Sequence, residues 1–140
     1  MTDSDQTKTL SIVIPLFNEE GNLDVLYDQV STVADSMVYQ WEIVFVDDGS
    51  SDASLEWLKE MSRRDQRVRF LSLSRNFGHQ AALFAGMKHS NGDAVITMDA
   101  DLQHPPGLIK EMVEKWEEGY DVVFTVKSNH QLGFLKGLQM

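Results

Sequence analysis

The chain has 140 residues, 42% hydrophobic and 24% charged, which is typical of one folded domain and excludes two full domains or a mainly disordered chain. It contains no cysteine, which excludes disulfides and thiolate metal sites, and its formal net charge of −10 argues against nucleic acid as a partner. Since no apolar run approaches the roughly 20 residues of a membrane helix, we expect one soluble, cytoplasmic domain over residues 1–140 that needs a local cation to bind phosphate.

Five short apolar segments rich in β-branched residues recur along the chain at intervals of roughly 30 residues, the length of a strand–helix–strand unit. They begin near Ser11, Ile43, Val68, Ala94 and Val122. Several are nearly continuous apolar runs, as in strands covered by helices on both faces. The pattern predicts an α/β fold: a Rossmann-like, mainly parallel sheet with helices on both faces.

The segments between these strands have the spacing of amphipathic helices. The first stripe predicts a helix from about Asn22 to Met37, and two shorter stripes precede the third strand and the fifth. Between the third and fourth strands, small residues predict a helix that approaches the sheet closely. The stretches Met1–Lys8 and after Lys127 are only loosely specified. The apolar positions concerned are Leu23, Leu26, Tyr27, Val30, Ala34 and Met37; Leu55, Leu58 and Met61; Ala81, Ala82, Ala85 and Gly86; and Ile109, Met112, Val113 and Trp116.

Acidic residues follow three of the predicted strands, at the sheet edge where open α/β folds bind ligands. Asp99 and Asp101 are two residues apart, so in extended chain both carboxylates face the same side. Two such charges repel unless a hard cation such as Mg²⁺ or Mn²⁺ joins them, and Gln103 could add an amide oxygen. The alternative is that these acids are solvated loop residues or helix N-caps.

Polar residues after the first two strands have two interpretations each. Asp47 or Asp48 could accept hydrogen bonds from a base or a ribose, or could serve only to form a turn. Pro15 and Asn18 either shape the strand exit or line a nucleotide pocket. Glu20 is either a charge in the first turn of a helix or a ribose ligand.

Two cations follow the third and fifth strands. Arg75 and Lys127 are candidate phosphate partners, although a solvated position is the commoner outcome for such residues. His79 and His104 lie near the predicted site, but the four histidines have no metal-ligand spacing. The absence of glycine-rich dinucleotide, Walker and Gly-x-Ser-x-Gly motifs argues against those enzyme classes.

Five segments follow one another along the chain: SIVIPLFNEE at 11–20, VDDGSSD at 46–52, SRNFGHQAA at 74–82, GDAVITMDADLQHPP at 92–106 and GYDVV at 119–123. In this order they together resemble the family 2 inverting glycosyltransferases of the GT-A fold. The branch they resemble most is that of dolichol-phosphate mannose synthase and the undecaprenyl-phosphate glucosyltransferases. The resemblance spans about Leu10 to Lys127.

The resemblance implies a role for each candidate residue. It implies that Asp99 and Asp101 act in catalysis by holding the metal ion and the diphosphate with Gln103. Asp47 or Asp48 would contact the base or ribose, and Arg75 would lie near the nucleotide-sugar. Lys127 stands where family members usually have Arg. The first nucleotide-binding segment would comprise Pro15, Asn18 and Glu20.

The implied activity is transfer of a sugar from a UDP- or GDP-sugar, with Mg²⁺ or Mn²⁺, to an acceptor such as a polyprenyl phosphate. Family members continue into an acceptor-binding half, so we expect a truncated donor-binding half with its core at 10–127, nucleotide-binding in character, whose uncovered face favours a homo-oligomer. One alternative is a nucleotide-sugar-binding module without turnover. A remote one is a receiver-like signalling domain, although its acid pair would follow the first strand.

Overall fold

The computed structural model of the chain describes residues 7–105, 107–126 and 131–136. Strands and helices alternate from the start of this part of the chain to β5. The strands are β1 (Thr9–Leu16), β2 (Gln40–Asp47), β3 (Val68–Ser72), β4 (Ala94–Thr97), β5 (Tyr120–Val126) and β6 (Gln131–Lys136). The helices are α1 (Leu23–Asp35), α2 (Ser54–Arg64), α3 (His79–Lys88) and α4 (Leu108–Glu117).

The six strands form one sheet in the order β3-β2-β1-β4-β5-β6. Strands β1 to β5 are parallel, which confirms the mainly parallel sheet predicted from the spacing of the apolar segments. Strand β6 pairs antiparallel with β5. The sequence specified the stretch after Lys127 only loosely, and for Gln131–Lys136 that interpretation was wrong. A short segment with a central glycine carries a weak strand signal, so pairing with β5 defines it.

One hydrophobic cluster joins α1, α2 and α4 to one face of the sheet. The sheet contributes Ile12, Ile43 and Ile96, which are neighbours in the strand register. The stripe predicted for α1 is confirmed at its buried positions, and the helix is shorter than predicted, ending at Asp35. The buried apolar residues of the three helices are Leu23, Leu26, Val30, Ala34, Leu58, Met61, Leu108, Ile109, Met112 and Val113.

Helix α3 covers the opposite face of the sheet. A Cβ added to Gly86 of this helix would lie 2.5 Å from Val13 Cγ1 and 2.8 Å from Val46 Cγ2. Val13 alternates with Ile12 along β1, so its side chain points to the other face. The structure therefore confirms helices on both faces and the close approach that the small residues predicted.

A buried polar network holds the turn before β4 against β1 and β2. Glu42 Oε2 accepts hydrogen bonds from Ser11 Oγ at 2.6 Å and from Asn91 N at 2.7 Å, and Oε1 accepts one from Arg69 Nη1 at 2.8 Å. Gly92 N donates to Ser11 Oγ at 2.7 Å. Although burial opposes ionisation, these hydrogen bonds hold the pKa of Glu42 below its ordinary value. The network fixes where β4 enters the sheet.

None of the helices in the described part of the chain is long and apolar enough to cross a bilayer.

Candidate functional site

The strand order reverses between β1 and β4, and a cavity of about 270 Å³ opens at the carboxyl ends of these strands. In open α/β sheets such a reversal leaves a crevice, because the connections on its two sides lead away in opposite directions. The cavity is lined by Pro15, Leu16, Phe17, Glu19, Asp48, Asn76, His79, Ala82, Asp99, Ala100 and Asp101.

Asp99 and Asp101 both line this cavity, as the spacing of two residues predicted. Asp99 Oδ1 lies 3.6 Å from His79 Nε2. Asp101 Oδ1 accepts the backbone N–H of Gln103 at 3.2 Å, which closes a turn in which Leu102 has a φ of 63°. The Gln103 side chain is exposed and is not part of the cavity wall. Binding of a metal ion by these three residues stays a prediction.

The loop after β1 is locked to the loop after β2 through Asn18. The side-chain Oδ1 of Asn18 accepts hydrogen bonds from the backbone N–H groups of Ser51 at 2.8 Å and Asp52 at 3.2 Å. The backbone N–H of Asn18 donates to Ser50 Oγ at 2.8 Å. Asn18 has a φ of 54°, a conformation in which asparagine is common. Pro15 lies on the cavity wall, whereas Asn18 is not part of the described wall and holds the two loops together.

Glu19 and Glu20 have different positions in the structure. Glu19 lines the cavity, and its Oε2 accepts a hydrogen bond from Asn22 Nδ2 at 2.7 Å. Glu20 lies outside the lining, where its Oε2 accepts the N–H of Ala53 at 3.3 Å at the start of α2. Glu20 thus precedes α1, which begins at Leu23, and contacts the start of α2 instead of lying in the first turn of the helix that follows it. A ribose contact by Glu20 stays a prediction.

The two aspartates at the end of β2 also differ. Asp47 is 1% exposed, and its Oδ1 accepts the N–H of Ser50 at 3.2 Å, as in the turn interpretation. Asp48 is 4% exposed and lines the cavity. Its Oδ1 accepts the N–H of Phe77 at 2.8 Å and its Oδ2 that of Gly78 at 3.1 Å. Of the two, Asp48 is therefore the one that a bound ligand can reach.

Arg75 is exposed and its guanidinium carbon lies 4.6 Å from the centre of the Phe77 ring. This cation–π contact holds the side chain beside the cavity, although Arg75 is not part of the wall. A phosphate contact by Arg75 stays a prediction. Lys127, the other predicted phosphate partner, lies outside the described residues.

Comparison with known proteins decides the family. The family model for glycosyl transferase family 2 matches residues 11–136, nearly the whole chain. The chain belongs to glycosyl transferase family 2. Its sheet and strand order are accordingly those of a GT-A fold, as the five sequence segments implied.

Two relatives illustrate how this family 2 chain compares with longer proteins. It is 48% identical over 121 residues to the uncharacterized glycosyltransferase YkcC of Bacillus subtilis, covering 86% of this chain and 38% of that protein. It is 44% identical over 132 residues to an undecaprenyl-phosphate 4-deoxy-4-formamido-L-arabinose transferase of Salmonella choleraesuis, covering 94% and 40%. The chain thus spans about two fifths of the length of both relatives.

A solved structure shares the fold of this family 2 chain. The mannosyltransferase PcManGT of Pyrobaculum calidifontis, in complex with GDP-Man and Mn²⁺, superimposes with a TM-score of 0.59 at 21% identity. The match covers 80% of this chain and 33% of the mannosyltransferase. At this identity the likeness establishes the fold alone.

The charges of the family 2 cavity determine what it can bind. Four carboxylates, those of Glu19, Asp48, Asp99 and Asp101, line it, and no Lys or Arg belongs to the described part of its wall. Among the described residues, no group of three or more His, Asp or Glu side chains has the geometry to hold a metal ion by itself. A cation here would need ligand oxygens in addition to Asp99 and Asp101, which suits a hard ion that binds together with a diphosphate.

Three polar residues of the cavity wall were not among the predicted site residues: Glu19, Asn76 and His79. Each is adjacent in sequence to a residue that was predicted or belongs to the same motif. The Arg75–His79 segment signalled the right loop, but the loop turns Asn76 and His79, rather than Arg75, towards the cavity. No local pattern indicates that orientation, because it depends on contacts with Asp48 and Gly49.

Proposed function

We propose that the cavity between β1 and β4 binds a nucleotide-diphosphate sugar and that this domain supplies the donor half of a metal-assisted, inverting sugar transfer. The observation that carries the proposal is the convergence of Asp48, Asp99 and Asp101 on one cavity at the strand reversal. Family membership supports glycosyl transfer as the class of reaction. The identity of the sugar and the base is left to experiment.

Asp99 and Asp101 are the residues that would hold Mg²⁺ or Mn²⁺ in this proposal. Bound there, the ion would act as a Lewis acid that stabilises negative charge on the leaving diphosphate. The donor set supports this role, since carboxylate oxygens suit hard cations and the wall otherwise offers a diphosphate four negative charges. Mn²⁺ in the mannosyltransferase structure is a property of that protein and supports the same ion class here.

The proposed reaction exchanges one C–O bond for another. An acceptor oxygen attacks the anomeric carbon from the face opposite the diphosphate, and the bond from that carbon to the diphosphate oxygen breaks. The electron pair of the broken bond stays on the nucleoside diphosphate, so charge accumulates beside Asp99 and Asp101. This opposite-face attack inverts the anomeric configuration.

We propose a polyprenyl phosphate as the acceptor class. A relative at 44% identity is named as an undecaprenyl-phosphate transferase, which supports this choice. A phosphate acceptor is already anionic near neutral pH, so the reaction requires no strong general base, whereas a hydroxyl acceptor would require one. The cysteine-free composition is compatible with the reducing cytoplasm, where we propose that the domain acts.

A second candidate is donor binding without turnover. It rests on the same cavity, whose described wall offers a candidate donor site but no assigned acceptor site. Both candidates require nucleotide binding in the same cavity, so only turnover separates them.

Calorimetric titration tests the shared part of the proposal. UDP, GDP, UDP-GlcNAc and GDP-mannose are titrated into the chain with and without Mn²⁺, and we expect at least one to bind more tightly with the ion. Binding by none of them in either condition would contradict the proposal. Release of UDP or GDP on addition of undecaprenyl phosphate supports transfer, whereas binding without release supports the second candidate.

A further inference from the structure

Both carboxylate oxygens of Asp48 are used to hold the loop between β3 and α3. Oδ1 accepts the N–H of Phe77 at 2.8 Å and Oδ2 the N–H of Gly78 at 3.1 Å, and the residue is 4% exposed. These N–H groups lie just before α3, where a helix has no carbonyl partners of its own for them. A negative charge at this end also interacts favourably with the helix dipole. Asp48 therefore fixes the conformation in which the loop enters α3.

Gly49 packs closely against the backbone of the same loop. It has a φ of 77°, and a Cβ added to it would lie 2.5 Å from both Arg75 C and Asn76 N. The backbone of the loop is thus pressed directly on the Asp48–Gly49 peptide. Leu73 N also donates to Asp47 O at 2.9 Å, which joins the end of β3 to the end of β2. The position of the loop is therefore set by the exit of β2.

The loop carries Asn76 to the cavity wall and leads into His79, the first residue of α3, which also lines it. They are the only side chains of the described wall that bear nitrogen donors, because its other polar side chains are carboxylates. The oxygens of a sugar and a diphosphate accept hydrogen bonds, and in the described wall these two side chains are the ones that offer nitrogen donors. The hydrogen-bonding capacity of the wall thus depends on how this loop is held.

We propose that Asp48 is a positioning residue, which acts on the donor substrate by holding Asn76 and His79 where they donate hydrogen bonds to its sugar and diphosphate oxygens. The inference rests on the proposed function and assigns Asp48 a different role from the base or ribose contact that the family resemblance implies. Its carboxylate is committed to two backbone N–H groups before any ligand binds. An asparagine at this position keeps the shape of the side chain but turns an NH₂ group towards one of those N–H groups.

The first experiment compares Asp48→Asn with the unaltered chain. In ligand-free protein, we expect the ¹H–¹⁵N amide signals of Phe77 and Gly78 to shift, and the affinity for the bound nucleotide-sugar to fall about tenfold. UDP-GlcNAc and GDP-mannose with Mn²⁺ are the probes. The control is Asp93→Asn, which alters a carboxylate that accepts Thr9 N at 2.8 Å where the β1 and β4 strands begin, away from the cavity. It should leave both readouts unchanged.

A double-mutant cycle with Asn76→Ala separates positioning from direct contact. We expect Asn76→Ala alone to weaken binding about tenfold, and the double variant to bind no more weakly than Asp48→Asn alone, since a displaced loop no longer presents residue 76. Additive losses, roughly a hundredfold together, would mean that Asp48 contacts the ligand itself and would overturn the proposal. Full affinity in either single variant, or weakened binding with unmoved Phe77 and Gly78 signals, would overturn it too.

A second variant displaces the loop without altering the charge of Asp48. Gly49→Ala places a methyl group against Arg75 and Asn76, and we expect the same shift of the loop signals and a similar loss of affinity. If Asp48→Asn does not fold, Gly49→Ala alone tests whether the position of the loop controls affinity. Shifted loop signals with full affinity would overturn the proposal. If the unaltered chain binds no nucleotide-sugar, the proposed function fails and this inference with it, whereas tight binding by every variant overturns the inference alone.

Discussion

At the scale of single residues, the sequence predicted which acidic segment reaches the cavity but not the local geometry that brings it there. Asp99 and Asp101 both line the cavity, although β4 ends at Thr97 and the chain bends at residues 100–102, so strand alternation alone does not explain their convergence. After β1 the chain turns at Asn18, where φ is 54°, so alternation no longer indicates direction. Glu19 rather than Glu20 consequently reaches the cavity. A turn of this kind depends on hydrogen-bond partners in the neighbouring loop, and the local sequence does not indicate them.

The first prediction concerns Asp101. Asp101→Asn removes one of the two charges that would hold a cation, while the amide oxygen can still accept the N–H of Gln103. We therefore expect the Mn²⁺-dependent part of nucleotide affinity to fall roughly tenfold or more, with little change in unfolding temperature. Calorimetric titration with and without Mn²⁺ measures the first quantity and a thermal melt the second.

The matched control for Asp101 is Glu60→Gln on α2. It removes the same charge from an exposed ion pair with Arg63, where the N–O distance is 3.3 Å. Such surface pairs contribute about 0–1 kcal/mol, so neither nucleotide affinity nor stability should change measurably. Equal Mn²⁺ dependence in Asp101→Asn and Glu60→Gln would remove Asp101 from the proposed metal site.

At the scale of helices and strands, the segments with a periodic apolar pattern were predictable, and the elements that depend on tertiary contacts were not. The stripe at Leu23, Leu26 and Val30 identified α1 because a helix over a sheet must bury one face. α3 has no such stripe, and its small residues Ala82 and Gly86 indicated close packing instead. β6 was missed, since its pairing with β5 is a tertiary contact. Elements with their own apolar pattern are therefore the ones that the sequence predicts.

The second prediction tests the close packing of α3. Gly86→Ala adds a methyl group 2.5 Å from Val13 Cγ1 and 2.8 Å from Val46 Cγ2, and both valines are fully buried in the sheet. The gain in helix propensity is about 1 kcal/mol, and overpacking costs about 1–3 kcal/mol. We expect a net loss of stability in urea unfolding. Gly21→Ala, whose Cβ would meet nothing within 4 Å, should change it by less than about 0.5 kcal/mol.

The third prediction concerns the contact between α1 and the turn after α2. Asp65 accepts hydrogen bonds from Tyr27 Oη at 2.5 Å and from Arg67 Nε at 3.0 Å. Burial opposes ionisation, but these partners lower the pKa of Asp65 to about 2. A depressed carboxylate pKa stabilises the fold above the unfolded value of 3.8, and this contribution disappears as the pH falls towards 2. It amounts to about 2 kcal/mol at neutral pH.

Asp65→Asn should accordingly lower the free energy of unfolding by about 1–2 kcal/mol at pH 7, with a difference from the unaltered chain that shrinks below pH 4. Urea unfolding at pH 7, 4 and 2.5 gives the three values. Asp28→Asn changes an exposed carboxylate on α1 and should have little effect at any of these pH values. A pH-independent difference for Asp65→Asn would mean that the lost hydrogen bonds, rather than the ionised carboxylate, account for it.

At the scale of the whole molecule, the sequence predicted a parallel sheet but not the strand order that creates the cavity. The chain builds β1, β2 and β3 outward in one direction and then returns to place β4 on the other side of β1. The acidic residues lie in this crevice because β1 and β4 both end at it. Strand order is a non-local property, since β1 contacts a strand that begins 85 residues later, at Ala94. The family resemblance, rather than the periodicity, therefore led to the GT-A arrangement.

The fourth prediction follows from the charge of the whole chain. At a net charge of −10, with four carboxylates and no described Lys or Arg on the cavity wall, the field repels a nucleoside diphosphate when no divalent ion is present. Salt screens this repulsion over a distance of about 10 Å at 0.1 M. UDP or GDP affinity measured without Mn²⁺ should therefore rise between about 20 and 150 mM NaCl.

Saturating Mn²⁺ should reduce or reverse this salt dependence, because the ion replaces repulsion at the cavity by attraction that salt then weakens. Calorimetric titration of the same nucleotide at both salt concentrations, with and without Mn²⁺, gives the four affinities needed. A neutral ligand, uridine or guanosine, controls for salt effects on the protein itself and should bind equally in both salts. If nucleotide affinity without Mn²⁺ falls as salt rises, a local cation such as Arg75 dominates the approach of the diphosphate, and the net charge does not.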